Sequence, residues 1–153
     1  MKAVDRVRLD ALDEEDLAVI AAYVQDAVVK TADLIYLPKE NRFVLAMNRF
    51  AWETAADKSR GFERRRAALT FDRVLAVKTQ GIDRDGDAVL DLLTVEFAPI
   101  DAPAGAIDLV FAGGATVRLA VECIEARLSD LGPAWATGAK PSHDDTGNPP
   151  GTR

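Results

Sequence analysis

Polar and apolar positions change their period several times along this chain. Leu17, Ile20, Val24, Ala27 and Val28 recur at helical spacing, which predicts an amphipathic helix over 14–27. Asp13 stands where an N-cap acceptor belongs, and Glu14, Glu15 and Asp16 place negative charge in the first turn, where the helix dipole favours it. Leu12 and Leu17 are spaced for a hydrophobic staple.

The period then falls to two. ADLIYL (32–37) and FVLAMNRFAW (43–52) flank the turn-like PKEN, and Phe43, Leu45 and Met47 share one face. A polar stretch, ETAADKSRGFE, reads as a loop. RRAALTF follows, with Leu69 and Phe71 on one side; Asp72-Arg73 interrupts it, suggesting a bend or bulge, and VLAVKT resumes it. Asp85-Gly86 is a hairpin signal ahead of AVLDLLTVEF (88–97). Ile107, Leu109 and Phe111 alternate in one arm of a last hairpin. Val117, Leu119 and Val121 alternate in the other, and Gly113-Gly114 lies between them.

Val121, Ile124, Leu128 and Leu131 return to a helix-like spacing, with Gly132-Pro133 as the stop. The pattern therefore predicts an α+β fold. A strongly bent antiparallel sheet or partly open barrel of six to seven strands is expected, with an N-terminal helix (14–27) and a C-terminal capping helix (121–131). One globular domain is expected over 1–136, and the apolar-poor stretch 137–153 reads as a disordered tail.

Composition narrows the function. The chain has 153 residues, 48% of them hydrophobic, enough to bury a core of its own. Its net charge of −6 argues against nucleic-acid or anionic-membrane partners, which draw affinity from a broad positive field. No apolar run reaches the length of a membrane span or a secretory signal, so no integral membrane association is expected. The one cysteine, Cys123, excludes an intramolecular disulfide and suits a reducing, cytoplasmic setting.

The segments DEEDLAVIAAYVQDAVV, YLPKENRF, NRFAWE, ERRRAALTFDRVLAVK and VECIEARLSDLGPAW carry a resemblance to an uncharacterised family of small bacterial proteins, a domain of unknown function. That resemblance implies a bacterial source and brings no activity with it. The strand succession ending in LVFAGGATVRLAVECIEARLSDL is similar to pleckstrin-homology-like domains, which implies a seven-stranded bent barrel closed by a C-terminal helix. The basic stretch here falls outside the first hairpin used by lipid-binding members, so no lipid-binding residue carries over.

Candidate chemistry is sparse. Residues 58–73 hold six basic and two acidic side chains, so the chain's acidity lies elsewhere. In a strand, Arg64 and Arg66 point to one face, spaced for a two-pronged clamp on a phosphate or carboxylate. Arg65 points to the other face, with Leu69 and Phe71, where it would snorkel at the sheet rim. A charged strand start that blunts a sheet edge accounts for the same residues. Arg73 and Trp52 complete the candidate anion or partner site.

Asp83, Asp85 and Asp87 alternate as in a calcium loop, but the glycine and distal glutamate positions do not fit, so no metal is expected. The only histidine, His143, lies in the tail, away from any nucleophile. Glu53, Glu63, Glu96 and Glu122 have no spacing that favours carboxylate catalysis. No cofactor motif is present. The reading is a non-catalytic interaction module that binds a protein partner or self-associates. The alternative is a small-anion or small-ligand domain built on the Arg64/Arg66 face.

Overall fold

A computed structural model describes residues 6–57, 61–83, 88–132, 135–137 and 140–141. Strand β1 (Arg8–Ala11) leads into helix α1 (Glu14–Tyr23). Then come β2 (Ala27–Lys30), β3 (Leu34–Leu37), β4 (Arg42–Phe50), β5 (Glu63–Phe71), β6 (Val74–Gln80), β7 (Val89–Pro99), β8 (Gly105–Phe111), β9 (Thr116–Val121), β10 (Ala126–Asp130) and β11 (Trp135–Ala136). Single 3-10 turns fill four of the connections.

All eleven strands belong to one sheet, and every pairing is antiparallel. The main path runs β1-β10-β5-β4-β2-β7-β8-β9-β6, with β11 beside β5 and β3 beside β4. The inward faces of these strands share one core. Phe43, Leu45, Met47, Leu69, Phe71, Leu92, Ile107, Leu109, Phe111, Val117, Leu119 and Leu128 meet there, with Leu17 and Ile20 from α1. The sheet thus wraps one apolar centre, but among the described residues its terminal strands β1 and β6 do not pair and it does not close.

The expected α+β fold with two capping helices is corrected: the chain is mostly antiparallel sheet with one α-helix among the described residues. The helix expected at 121–131 is instead bend and strand. Residues 122–125 turn, and β10 pairs Ala126 with Phe71 and Leu128 with Leu69 on one side, and with β1 on the other. The pattern ARLSD satisfies both periods, and five residues are too few to separate them. Strand pairing wins because it buries Ala126, Leu128 and Asp130 together. Leu131, placed on the buried face by the helical reading, is exposed. The closing helix that the pleckstrin-homology-like resemblance implied at 121–131 is therefore bend and strand.

The N-terminal helix is shorter than 14–27. Asp13 caps it, accepting from the Asp16 N–H at 2.8 Å. Leu12 is 71% exposed, so no staple closes over the cap. The helix stops at Tyr23, and Asp26 takes a left-handed φ of 64° that turns the chain into β2. Ala27, Val28 and Val29 then sit in a strand flanked by β4 and β7, where β-branched side chains pack well. Asp72-Arg73 makes a full strand break: β6 leaves β5 and pairs with β9. The Gly113-Gly114 turn forms with φ of 84° and 90°, which costs glycine nothing. The acidic turn 84–87 and most of the stretch expected to be a tail, His143 included, lie outside the described residues.

Candidate functional site

Strand geometry places the three arginines. Arg65 pairs across from Arg49 on the core-facing side, while Arg64 and Arg66 pair across from Phe50 and Asn48 on the other. Arg64 is buried, donates to the Asn48 carbonyl at 3.2 Å, and lies over the Phe50 ring at 5.8 Å. Arg66 is half-exposed; it donates to Asn48 Oδ1 and to Asp33 Oδ2, each at 3.2 Å. Both guanidinium groups thus bond the protein itself. Trp52 joins the same neighbourhood edge-on to Phe50 at 4.6 Å, and its indole N–H donates to the Gln25 carbonyl at 2.9 Å. Trp135 pairs across from Arg64 on β11 and is partly exposed.

Arg73 lies apart from them, past the far end of β5. It has a left-handed φ of 63° and pairs with Glu125 at 3.2 Å, which raises its pKa. Three of the four candidate residues are therefore brought together, and Arg73 is not. Cys123 is half-buried in the bend after β9.

Arg65 does not snorkel. It is 3% exposed, and its Nε has no hydrogen-bond partner and lies 3.8 Å from Asp130 Oδ2. It adjoins a buried ion cluster that the sequence reading did not find. Arg49, fully buried, donates Nε to Asp130 Oδ1 and Nη2 to Asp130 Oδ2, both at 2.8 Å. Its Nη1 and Nη2 reach Glu53 at 2.9 and 2.7 Å. Burial works against the Arg49 charge, but the hydrogen bonds that Arg49 donates to Asp130 and Glu53 outweigh it and raise the pKa. Asp130 also accepts from the Val7 N–H at 2.8 Å. The signal was legible: Arg49 continues the inward series Phe43, Leu45, Met47, and an arginine at an inward position requires a buried acid.

On the opposite side of the sheet, Asp91 Oδ1 is buried without a partner. Burial raises its pKa, the charge of Asp26 adds to the rise, and Arg64 opposes it.

The unclosed part of the sheet forms a second candidate site. Among the described residues β3 pairs only with β4, and β6 only with β9, so each leaves one edge without a partner strand. The two edges flank a groove of about 700 Å³. It is lined by Thr31, Leu34 and Tyr36 from one edge and by Val77, Lys78 and Thr79 from the other, with Phe43 and Val117 between them and Asp83 as its one carboxylate among the described residues. Near Val74 the seam is held together: the Val74 N–H donates to the Asn41 carbonyl at 2.9 Å, and Tyr36 Oη donates to the Leu75 carbonyl at 3.4 Å. Toward Gln80 no backbone bond crosses it among the described residues. Thr31 lines the open part, and its buried hydroxyl has no partner. Among the described residues no cluster of histidine, cysteine and carboxylate side chains is arranged to hold a metal ion, and no helix is long and apolar enough to cross a membrane.

These features define a mostly β domain with an unclosed seam. The chain belongs to the family described as "Protein of unknown function (DUF2948)", which matches residues 7–143. No curated protein and no solved structure matches the chain.

Proposed function

We propose that this domain is a non-catalytic interaction module whose binding edge is β6, where an extended segment of a protein partner adds as a further strand. The observation that carries this reading is the edge of β6, unpaired from Ala76 to Gln80 among the described residues, beside an apolar-floored groove. An edge strand offers a row of unmatched N–H and C=O groups, and strand addition uses them for affinity while pockets for alternate side chains give specificity. Val77 and Thr79 pair with Leu119 and Val117 respectively and so belong to the inward face. An added strand would lay every second side chain onto that same face, across the groove.

Selection from a random displayed-peptide library on the purified domain tests the reading. The selected peptides are expected to shift the amide resonances of Ala76–Gln80 and to lose binding when alternate peptide amides are N-methylated. Selected peptides that leave those amides unmoved would overturn it.

A second reading keeps Arg64, Arg66 and Trp52 as an anion or partner site, without Arg73, which pairs with Glu125 past the far end of β5. What favours it is the half-exposed Arg66 and the exposed Trp135 beside Arg64. Phosphate titration followed at the Arg64 and Arg66 side-chain resonances tests it; a flat titration removes the anion version.

A further inference from the structure

The charges on the outward face of the last strands indicate which segment suits the β6 edge. Cross-strand pairing aligns Lys78 with Arg118, Arg118 with Asp108, and Asp108 with Glu96. The row therefore reads positive, positive, negative, negative from the edge inward. Arg118 and Asp108 satisfy each other through two hydrogen bonds of 2.7 and 2.8 Å, which raise the Arg118 pKa. Lys78 is left beside a like charge, with no carboxylate paired to it among the described residues. Like charges directly opposite in a sheet are destabilising, and opposite charges are favourable.

The position outside Lys78 is the place for the next strand. A carboxylate there would face Lys78 across the new pairing and extend the row with an opposite charge. An edge lysine also repels basic strands, so the same residue attracts one class of partner and rejects another. The inward face sets the alternate positions: beside Val77 and Thr79 the groove floor is Phe43 and Val117, which suits apolar side chains.

We propose that the partner segment at β6 is an acidic extended strand, apolar at alternate residues and carrying glutamate or aspartate opposite Lys78. This rests on the strand-addition reading above. A β-branched apolar residue every second position holds the peptide extended and fills the groove, while the carboxylates face the Lys78 side.

Three synthetic seven-residue peptides test it, alternating valine with glutamate, with glutamine or with lysine, titrated into the intact chain and followed by amide chemical shifts. The glutamate peptide is expected to move the resonances of Ala76–Gln80. The glutamine peptide is expected to bind about two- to fivefold more weakly at low salt, the range of a partly exposed ion pair. Lys78→Glu should reverse the order, so that the lysine peptide binds best. Equal binding of all three at β6, unchanged in Lys78→Glu, overturns the acidic partner and leaves strand addition standing. Shifts at β6 that grow with protein concentration alone mark a second copy as the occupant and also overturn it. If no peptide moves β6, strand addition itself fails.

Discussion

Arg49 and Asp130 lie 81 residues apart in sequence and share two hydrogen bonds of 2.8 Å inside the protein. Together they tie β4 to the end of β10, with Glu53 and the Val7 N–H completing the set. Removing one partner leaves the other charge buried. Asp130→Ala is therefore expected to lower unfolding free energy by about 3–5 kcal/mol, read from urea denaturation. The double replacement Arg49→Met with Asp130→Leu should recover only part of that loss, because buried Arg65 then loses its nearest carboxylate and Glu53 its arginine. A single variant within 1 kcal/mol of wild type, on the order of an exposed pair, would show that the cluster contributes little.

Asp91 carries a pKa raised first by burial and then by Asp26. The sign follows directly. Between its ordinary value and its raised value the folded state binds more protons than the unfolded state, so this group's contribution falls as pH rises through that window. It stays unfavourable above it. Asp91→Asn is expected to flatten the fall and to make the protein more stable than wild type at pH 7. Denaturation midpoints at acid and neutral pH measure this; parallel curves for the two proteins would rule the assignment out.

Gly105 begins β8 opposite Pro99 and beside Ala98. A Cβ there would come within 2.5 Å of the Ala98 carbonyl oxygen and 2.6 Å of the Phe97 ring. The backbone oxygen cannot rotate away, so the β7–β8 pairing must shift. Gly105→Ala should cost about 1–3 kcal/mol, the usual range for overpacking, visible as a lower melting temperature. No change would mean that the hairpin yields freely.

Tyr36 Oη reaches the Leu75 carbonyl at 3.4 Å, a long bond between the two seam edges. Tyr36→Phe removes it while keeping a ring at the position opposite Phe43, its cross-strand neighbour. Stability should fall by no more than about 1 kcal/mol. Hydrogen exchange should rise selectively in β3 and β6 and not in the β4–β5 centre. Uniform exchange across the sheet would show that the bond does not hold the seam.

Much of the β-sheet was legible along the chain. Phe43, Leu45 and Met47, or Ile107, Leu109 and Phe111, announce a buried face because period-two alternation is a local property. The opposed directions of Arg64 and Arg66 against Arg65 followed from the same alternation. What each arginine meets did not follow, because the partners Asn48, Asp33 and Asp130 come from distant parts of the chain, two from strands and Asp33 from a turn. The seam was invisible for a related reason: which strand is left unpaired depends on the whole pairing order.

Sequence alone determined the one helix cap at Asp13, the alternating inward faces, the glycine turn at 113–114 and the basic cluster at 64–66. These rest on bond geometry and on spacings within a few residues. Tertiary structure decided that 126–130 is a strand and not a helix, that Arg49 is buried against Asp130, and that β3 and β6 face each other unpaired. In each case a short segment was compatible with more than one local form. The pairing that buried its apolar side chains and matched its charges selected between them.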